Sequence, residues 1–121
     1  MQNCRDYLKT HNLEHLQIEC EVETLEQVQE LIDINLLRPT DRVMLDNMVV
    51  RTGNPDSPFQ LDTLQAALAL LLGKYQVEVS GNISEDSIAA IVRAAPGLTF
   101  MSSGSLTHSV TALDISLNIE M

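Results

Sequence analysis

Residues 75–105 read "YQVEVSGNISEDSIAAIVRAAPGLTFMSSGS", and their order decides the fold. A strand-like run at 75–81 leads into a helical pattern, and a second strand-like run follows at 98–103. Ser84 is placed to cap the helix, Glu85 and Asp86 fall in its first turn, and Pro96 stands just past its end. That arrangement suits a helix N-terminus, where side-chain oxygens satisfy free N–H groups and acids meet the positive end of the dipole. Two strands joined by a helix lie parallel, because the helical crossover returns the chain to the same end of the sheet. Both strands also run into a serine–glycine pair, Ser80-Gly81-Asn82 and Ser103-Gly104-Ser105. A glycine there lets backbone N–H groups approach an anion closely.

The same alternation extends towards the N-terminus. "LQIECEV" (16–22) is strand-like, with Glu19 and Glu21 on one side and Ile18, Cys20 and Val22 on the other. "TLEQVQELIDINLL" (24–37) is a helix opened by a capping box of Thr24 and Gln27, with Leu25, Val28, Leu31, Ile32 and Ile34 near helical spacing. "RVMLDN" (42–47) is a second strand, and "VVRTGNPDSPFQ" reads as an irregular loop. A helix from Asp62 as N-cap to Gly73 as C′ is apolar on most sides and is expected to be largely buried. The segment "HSVTALDISLNI" closes the chain with a modest helical pattern. The order β-α-β-α-β-α-β predicts an α/β fold of about four parallel strands alternating with helices. It is either part of a β/α barrel or a small open sheet.

Composition narrows the function classes. The 121 residues are 45% hydrophobic, enough for one core, and the longest apolar run, "LQAALALLLG", is too short to span a bilayer. The N-terminal "MQNCRDYLKTHNLEHL" lacks a signal peptide's apolar stretch and the look of a transit peptide. Cys4 and Cys20 are too few for a disulfide framework, so a reducing compartment is expected. A net charge of −10 argues against nucleic acid and anionic membrane as partners.

β/α barrels place their chemistry at the C-terminal ends of strands, with phosphate sites after the last two. Here the first two strands end in carboxylates, Glu21 and Asp46 (followed by Asn47), and the last two in serine–glycine pairs. Carboxylates plus phosphate oxygens are how Mg²⁺ is usually held. Each feature has a plainer reading: a solvated acid, a cap, an ordinary polar turn. His108 alone reads first as a cap or surface residue. His11 and His15, at helical ligand spacing but with no third ligand near, read as a surface face. What favours chemistry is the pattern repeated over four consecutive strands.

The blocks "IECEVETLEQVQEL", "VMLDNMV", "VEVSGNIS" and "SSGSLTHSVTALDISLNI" resemble, in order, the C-terminal portion of the quinolinate phosphoribosyltransferase family, the carboxylating nicotinate-nucleotide pyrophosphorylases. The resemblance implies a TIM-like barrel and formation of nicotinate mononucleotide, CO2 and pyrophosphate from quinolinate and 5-phosphoribosyl 1-pyrophosphate in NAD biosynthesis. It implies that Glu21 and Asp46 stand near Mg²⁺ and the ribose hydroxyls as catalytic and metal-binding carboxylates, with Asn47 beside them. It further implies that Ser80, Gly81, Gly104, Ser105 and His108 hold the donor's phosphate, and that Glu78 supports that loop. Asn82 stands where many members have glycine and Cys20 where many have valine.

Quinolinate is a dicarboxylate, and the basic residues that surround it in this family have no counterpart here. Arg5, Lys9, Arg38, Arg42, Arg51, Lys74 and Arg93 are scattered, and none is expected at a strand's C-terminal end. The expectation is therefore one partial barrel domain over 1–121, without the N-terminal domain or first strands. It would carry the phosphate and Mg²⁺ half of the site and be inactive alone, within a homodimer or higher homo-oligomer when complete. The competing reading is a non-catalytic truncated product that associates with full-length subunits. Cytoplasm is the expected location, or a plastid if the long 49–60 loop marks a plant-type member.

Overall fold

A computed structural model describes residues 1–108, 112–117 and 119. In chain order the elements are α1 (Gln2–Thr10), β1 (Glu19–Val22), α2 (Leu25–Ile34), β2 (Arg42–Asp46), β3 (Val50–Arg51) and β4 (Phe59–Gln60). They continue with α3 (Asp62–Leu71), β5 (Gln76–Ser80), α4 (Glu85–Ala94), β6 (Phe100–Met101) and a 3-10 turn at Gly104–Leu106. Four strands form one parallel sheet in the order β1-β2-β5-β6, as the helical crossovers require.

Local chemistry explains most boundaries. The Thr24 hydroxyl accepts from Gln27 N at 3.2 Å, the Gln27 side chain returns to the Thr24 N–H, and Asn35 at φ 51° ends α2. Ser84 caps α4 with Glu85 and Asp86 in the first turn, as expected. Gly73 follows α3 at φ 76°. Three expectations change. Asp62 is the first helical residue rather than the cap, which is Leu61. Only the stripe Leu64, Ala67, Leu68 and Leu71 of α3 is buried, while Leu70 and Leu72 face outward, because this helix has the sheet on one side only. The 49–60 segment is an ordered antiparallel hairpin, in which Val50 pairs with Gln60 and Arg51 with Phe59. The closing segment from 108 lies partly outside the described residues, and its described part, 112–117, is neither helix nor strand.

Alternation along the strands separates two faces. Val22, Val43, Leu45, Val77 and Val79 join Val28 and Leu31 of α2, Leu64 and Leu71 of α3 and Ile91 of α4 in the core. The register puts Glu19 with Arg42, Glu21 with Met44, Asp46 with Ser80 and Glu78 with Phe100 on the opposite face. Phe100 on that face is 40% exposed. A parallel sheet ordinarily has both faces covered; this one has an apolar side under helices and a charged side of the kind that lines a barrel interior.

The N-terminal ends of the strands are fixed by Asp41, which is fully buried. Its carboxylate accepts from Ile18 N at 3.0 Å, from Arg38 N at 2.6 Å, from the Arg38 guanidinium at 3.2 Å and from Arg5 of α1. Arg38 also donates to the carbonyls of Glu14 and Leu16. One carboxylate thus ties α1, the approach to β1 and the start of β2.

Candidate functional site

At the C-terminal ends of the strands the backbone turns through the left-handed region repeatedly. Asn47, Gly81 and Asn82 have φ of 57°, 77° and 57°. A Cβ on Gly81 would meet Asn47 N at 2.7 Å and Cα at 2.9 Å, so only glycine allows the turns after β2 and β5 to touch. Asn47 N donates to Ser80 O at 3.1 Å, and Asn47 Nδ2 donates to Asp46 Oδ2 at 2.7 Å. The loop after β6 is joined to the loop after β5 where Ser103 Oγ donates to Ile83 O at 2.5 Å, and Ser103 and Ser105 hydroxyls are 2.8 Å apart. The His108 ring lies against Gly104 so closely that a Cβ there would overlap it. Between the loops is a cleft of about 700 Å³ whose lining includes Ser80, Gly81, Asn82, Gly104, Ser105 and His108. All five residues expected to hold phosphate therefore meet in one place.

Glu21 and Asp46 form a second group, joined to the cleft by the pairing of Asp46 with Ser80. Their carboxylates and that of Glu23 lie within 4.8 Å of one another. Glu23 is absent from the sequence reading, although the period-two run Glu19, Glu21, Glu23 signals it. Three carboxylates this close repel by about 1 kcal/mol per pair even in water. An all-oxygen donor set with one Asp46 oxygen occupied by Asn47 and its other oxygen outside that bond fits a hard dication such as Mg²⁺. Asn47 links the two groups, being bonded to Asp46 on one side and packed under Gly81 on the other.

Glu78 is 4% exposed beneath the cleft. Arg42 Nη1 donates to its Oε2 at 2.7 Å, and the Ser102 hydroxyl donates to its Oε1. Burial pushes the Glu78 carboxyl up, but the bonds from Ser102 and Arg42 outweigh it and hold the group below its usual value. Glu19, 3.8 Å from Arg42, moves the other way, raised by burial and by its negative neighbour Glu78. The Arg42 guanidinium lies 3.8 Å from the centroid of Phe100. Nothing in the sequence alone marks Arg42 and Ser102, since only the parallel register brings them to Glu78.

The two remaining histidines do not converge. His11 caps α1 with Nδ1 2.9 Å from Tyr7 O and its ring stacked on Tyr7, while His15 lies beyond the helix. Among the basic residues Arg51 departs from expectation: it ends β3 and bonds Asp86 at the N-terminus of α4. The cause is the β3–β4 hairpin, formed where an irregular loop is expected.

Comparison with known proteins adds to this geometry. The profile of the family described as "Quinolinate phosphoribosyl transferase, C-terminal domain" matches residues 1–118. A chloroplastic nicotinate-nucleotide pyrophosphorylase [carboxylating] of Arabidopsis thaliana is 44% identical over 117 residues, covering 95% of this chain and 32% of the relative. The mitochondrial quinolinate phosphoribosyltransferase [decarboxylating] 2b of Nicotiana tabacum is 38% identical, covering 99% and 33%. The solved structure of the Francisella tularensis nicotinate-nucleotide pyrophosphorylase superposes with a TM-score of 0.59 at 32% identity, over 89% of this chain and 33% of that one. The chain spans about a third of the length of these relatives. Its parallel sheet matches the C-terminal part of their TIM-like barrel.

Proposed function

This chain belongs to the quinolinate phosphoribosyltransferase family, and from that premise we propose that it carries the phosphoribosyl-donor half of a site that makes nicotinate mononucleotide. The observation that supports this best is the junction of two loops, Ser80–Asn82 and Ser103–Ser105, around one cleft beside a carboxylate cluster. In the complete protein the donor's 5′-phosphate is held by backbone N–H groups of those loops, by the serine hydroxyls and by the N-terminal end of α4. Held there, C1′ of the ribose is fixed for attack by the quinolinate nitrogen, which is a positioning contribution. The C1′–O bond breaks with its electron pair going to pyrophosphate, and the nitrogen lone pair forms the new bond. The ring carboxylate next to that nitrogen then leaves as CO2, its C–C electron pair staying on the ring carbon, which takes up a proton from water. Positive charge developing on the ribose is stabilised by Glu21 and Asp46. Those two residues with Glu23 would hold Mg²⁺, which supplies charge neutralisation for the leaving pyrophosphate.

Quinolinate needs a basic pocket, and the described residues offer no cation cluster in the cleft, so its binding falls to the rest of the protein. A homo-oligomer is part of this reading. The chloroplastic and mitochondrial names of the plant relatives support an organelle, a plastid first, as the full-length protein's location. No described helix is long and apolar enough to cross a membrane. A second reading, a non-catalytic product that pairs with complete subunits, is favoured by the open β1 and β6 edges of the sheet.

The test is kinetic, in a complete enzyme carrying this domain. Asp46→Ala and Gly104→Asp should raise KM or lower kcat for 5-phosphoribosyl 1-pyrophosphate by tenfold or more, with quinolinate affinity little changed. Equal losses for both substrates would contradict this division of the site.

A further inference from the structure

The hairpin of β3 and β4 touches the phosphate-cleft loop at both of its ends. Val49, buried at the root of the hairpin, offers its carbonyl to Asn82 Nδ2 at 2.9 Å. Arg51 grips the other end, donating to Asp86 Oδ2 at 2.9 Å and Oδ1 at 3.0 Å and to the Ser84 hydroxyl. Its guanidinium lies 5.2 Å from the Phe59 ring centroid, so the next strand of the hairpin backs it. Between these two attachments lies Ile83, which with Asn82 lines the cleft. We propose that the β3–β4 hairpin is a positioning element for the phosphate-binding loop, acting through Asn82 and Arg51 without touching the ligand.

Three physical points carry the inference. Asn82 holds a left-handed conformation at φ 57°, and the hydrogen bond its side-chain Nδ2 donates to Val49 O selects that conformation over the alternatives open to a free loop. Arg51 meets Asp86 as a bidentate pair, the geometry that fixes orientation as well as distance. Asp86 is also an acid in the first turn of α4, beside the place an anion would occupy, and Arg51 offsets its charge there. An exposed ion pair adds little to global stability, so the consequence of this one falls on the loop and its ligand.

The inference rests on the phosphate reading of the cleft, and one experiment separates the two. The full 121-residue chain is titrated with inorganic phosphate while the backbone amides of Gly81 and Gly104 are followed by NMR. The expected result is saturable shifts at both glycines. Arg51→Met and Asn82→Gly should each weaken phosphate about fivefold, and the exchanged pair Arg51→Asp with Asp86→Arg should recover most of the loss. Asn82→Gly keeps the left-handed backbone available, so it reports even if Arg51→Met fails to fold. Wild-type affinity in both single variants overturns the positioning role alone, as does a loss that the exchanged pair does not recover. No shift at either glycine in the unaltered chain overturns the phosphate reading, and this proposal with it.

Discussion

Gly81 stands at φ 77° with the Asn47 backbone where a side chain would begin. Gly81→Ala should therefore cost about 1–2 kcal/mol from backbone conformation alone, and more as Asn47 is displaced; denaturant unfolding measures it. Loss of phosphate binding should exceed the loss of stability, since the displaced residue also orients Asp46. Asp41 is a second single-residue dependency. Asp41→Ala leaves Arg5 and Arg38 without their shared buried partner and should cost about 3–5 kcal/mol, a large share of the ~5–15 kcal/mol a domain has. An unchanged unfolding midpoint would contradict the role given to it.

Glu78 makes a pH prediction. Its folded-state carboxyl lies below the usual value, so the folded chain binds fewer protons than the unfolded one as both titrate. Its contribution is full above the unfolded value and is lost as pH falls through the folded one. Glu19, raised by burial and by Glu78, contributes in the opposite sense: fully below its unfolded value and less as pH rises through the folded one. Glu78→Gln should remove its own effect and the part of the Glu19 shift that Glu78 causes, leaving the part due to burial, and so flatten the acid limb of a midpoint-against-pH curve below about pH 5. A curve parallel to the wild type would refute the Arg42–Glu78–Ser102 network as its source.

At the scale of elements, α2 shows why so much was legible. Its capping box is written in Thr24 and Gln27 and appears as such in the structure. Thr24→Ala should cost about 1 kcal/mol, read as a lower midpoint with an unchanged denaturant slope. The crossover helices and parallel strands follow from the alternation in the same direct way. The β3–β4 hairpin did not, because two-residue strands carry too little periodicity and Pro55 and Pro58 suggest a break. α1 escaped for another reason: it buries no residue, and Arg5 anchors it by a long-range bond rather than an apolar stripe. The identities of Glu21, Asp46, Gly81 and Gly104 could be read from strand ends, and Glu23 from the alternation of Glu19 and Glu21 carried one step further, whereas Arg42 and Ser102 needed the register.

The whole molecule is a sheet with one apolar face under helices and one charged face, and three of its acids gather where the first two strands end. Without a cation, Glu21, Glu23 and Asp46 repel one another. Mg²⁺ at ten times its dissociation constant should stabilise the chain by about 1.4 kcal/mol, seen as a rise of roughly 5 °C in the melting midpoint. Glu21→Gln with Asp46→Asn should abolish the rise, and an equal rise in that variant would place the cation elsewhere.

The proposed ligand of the cleft between the Ser80 and Gly104 loops is the phosphoribosyl donor together with Mg²⁺. Titration calorimetry of the chain with 5-phosphoribosyl 1-pyrophosphate, with and without Mg²⁺, tests it most directly. The expected result is saturable one-to-one binding that weakens without Mg²⁺ and disappears in Gly104→Asp. Binding that survives Gly104→Asp and ignores Mg²⁺, or no binding to the unaltered chain, would contradict it.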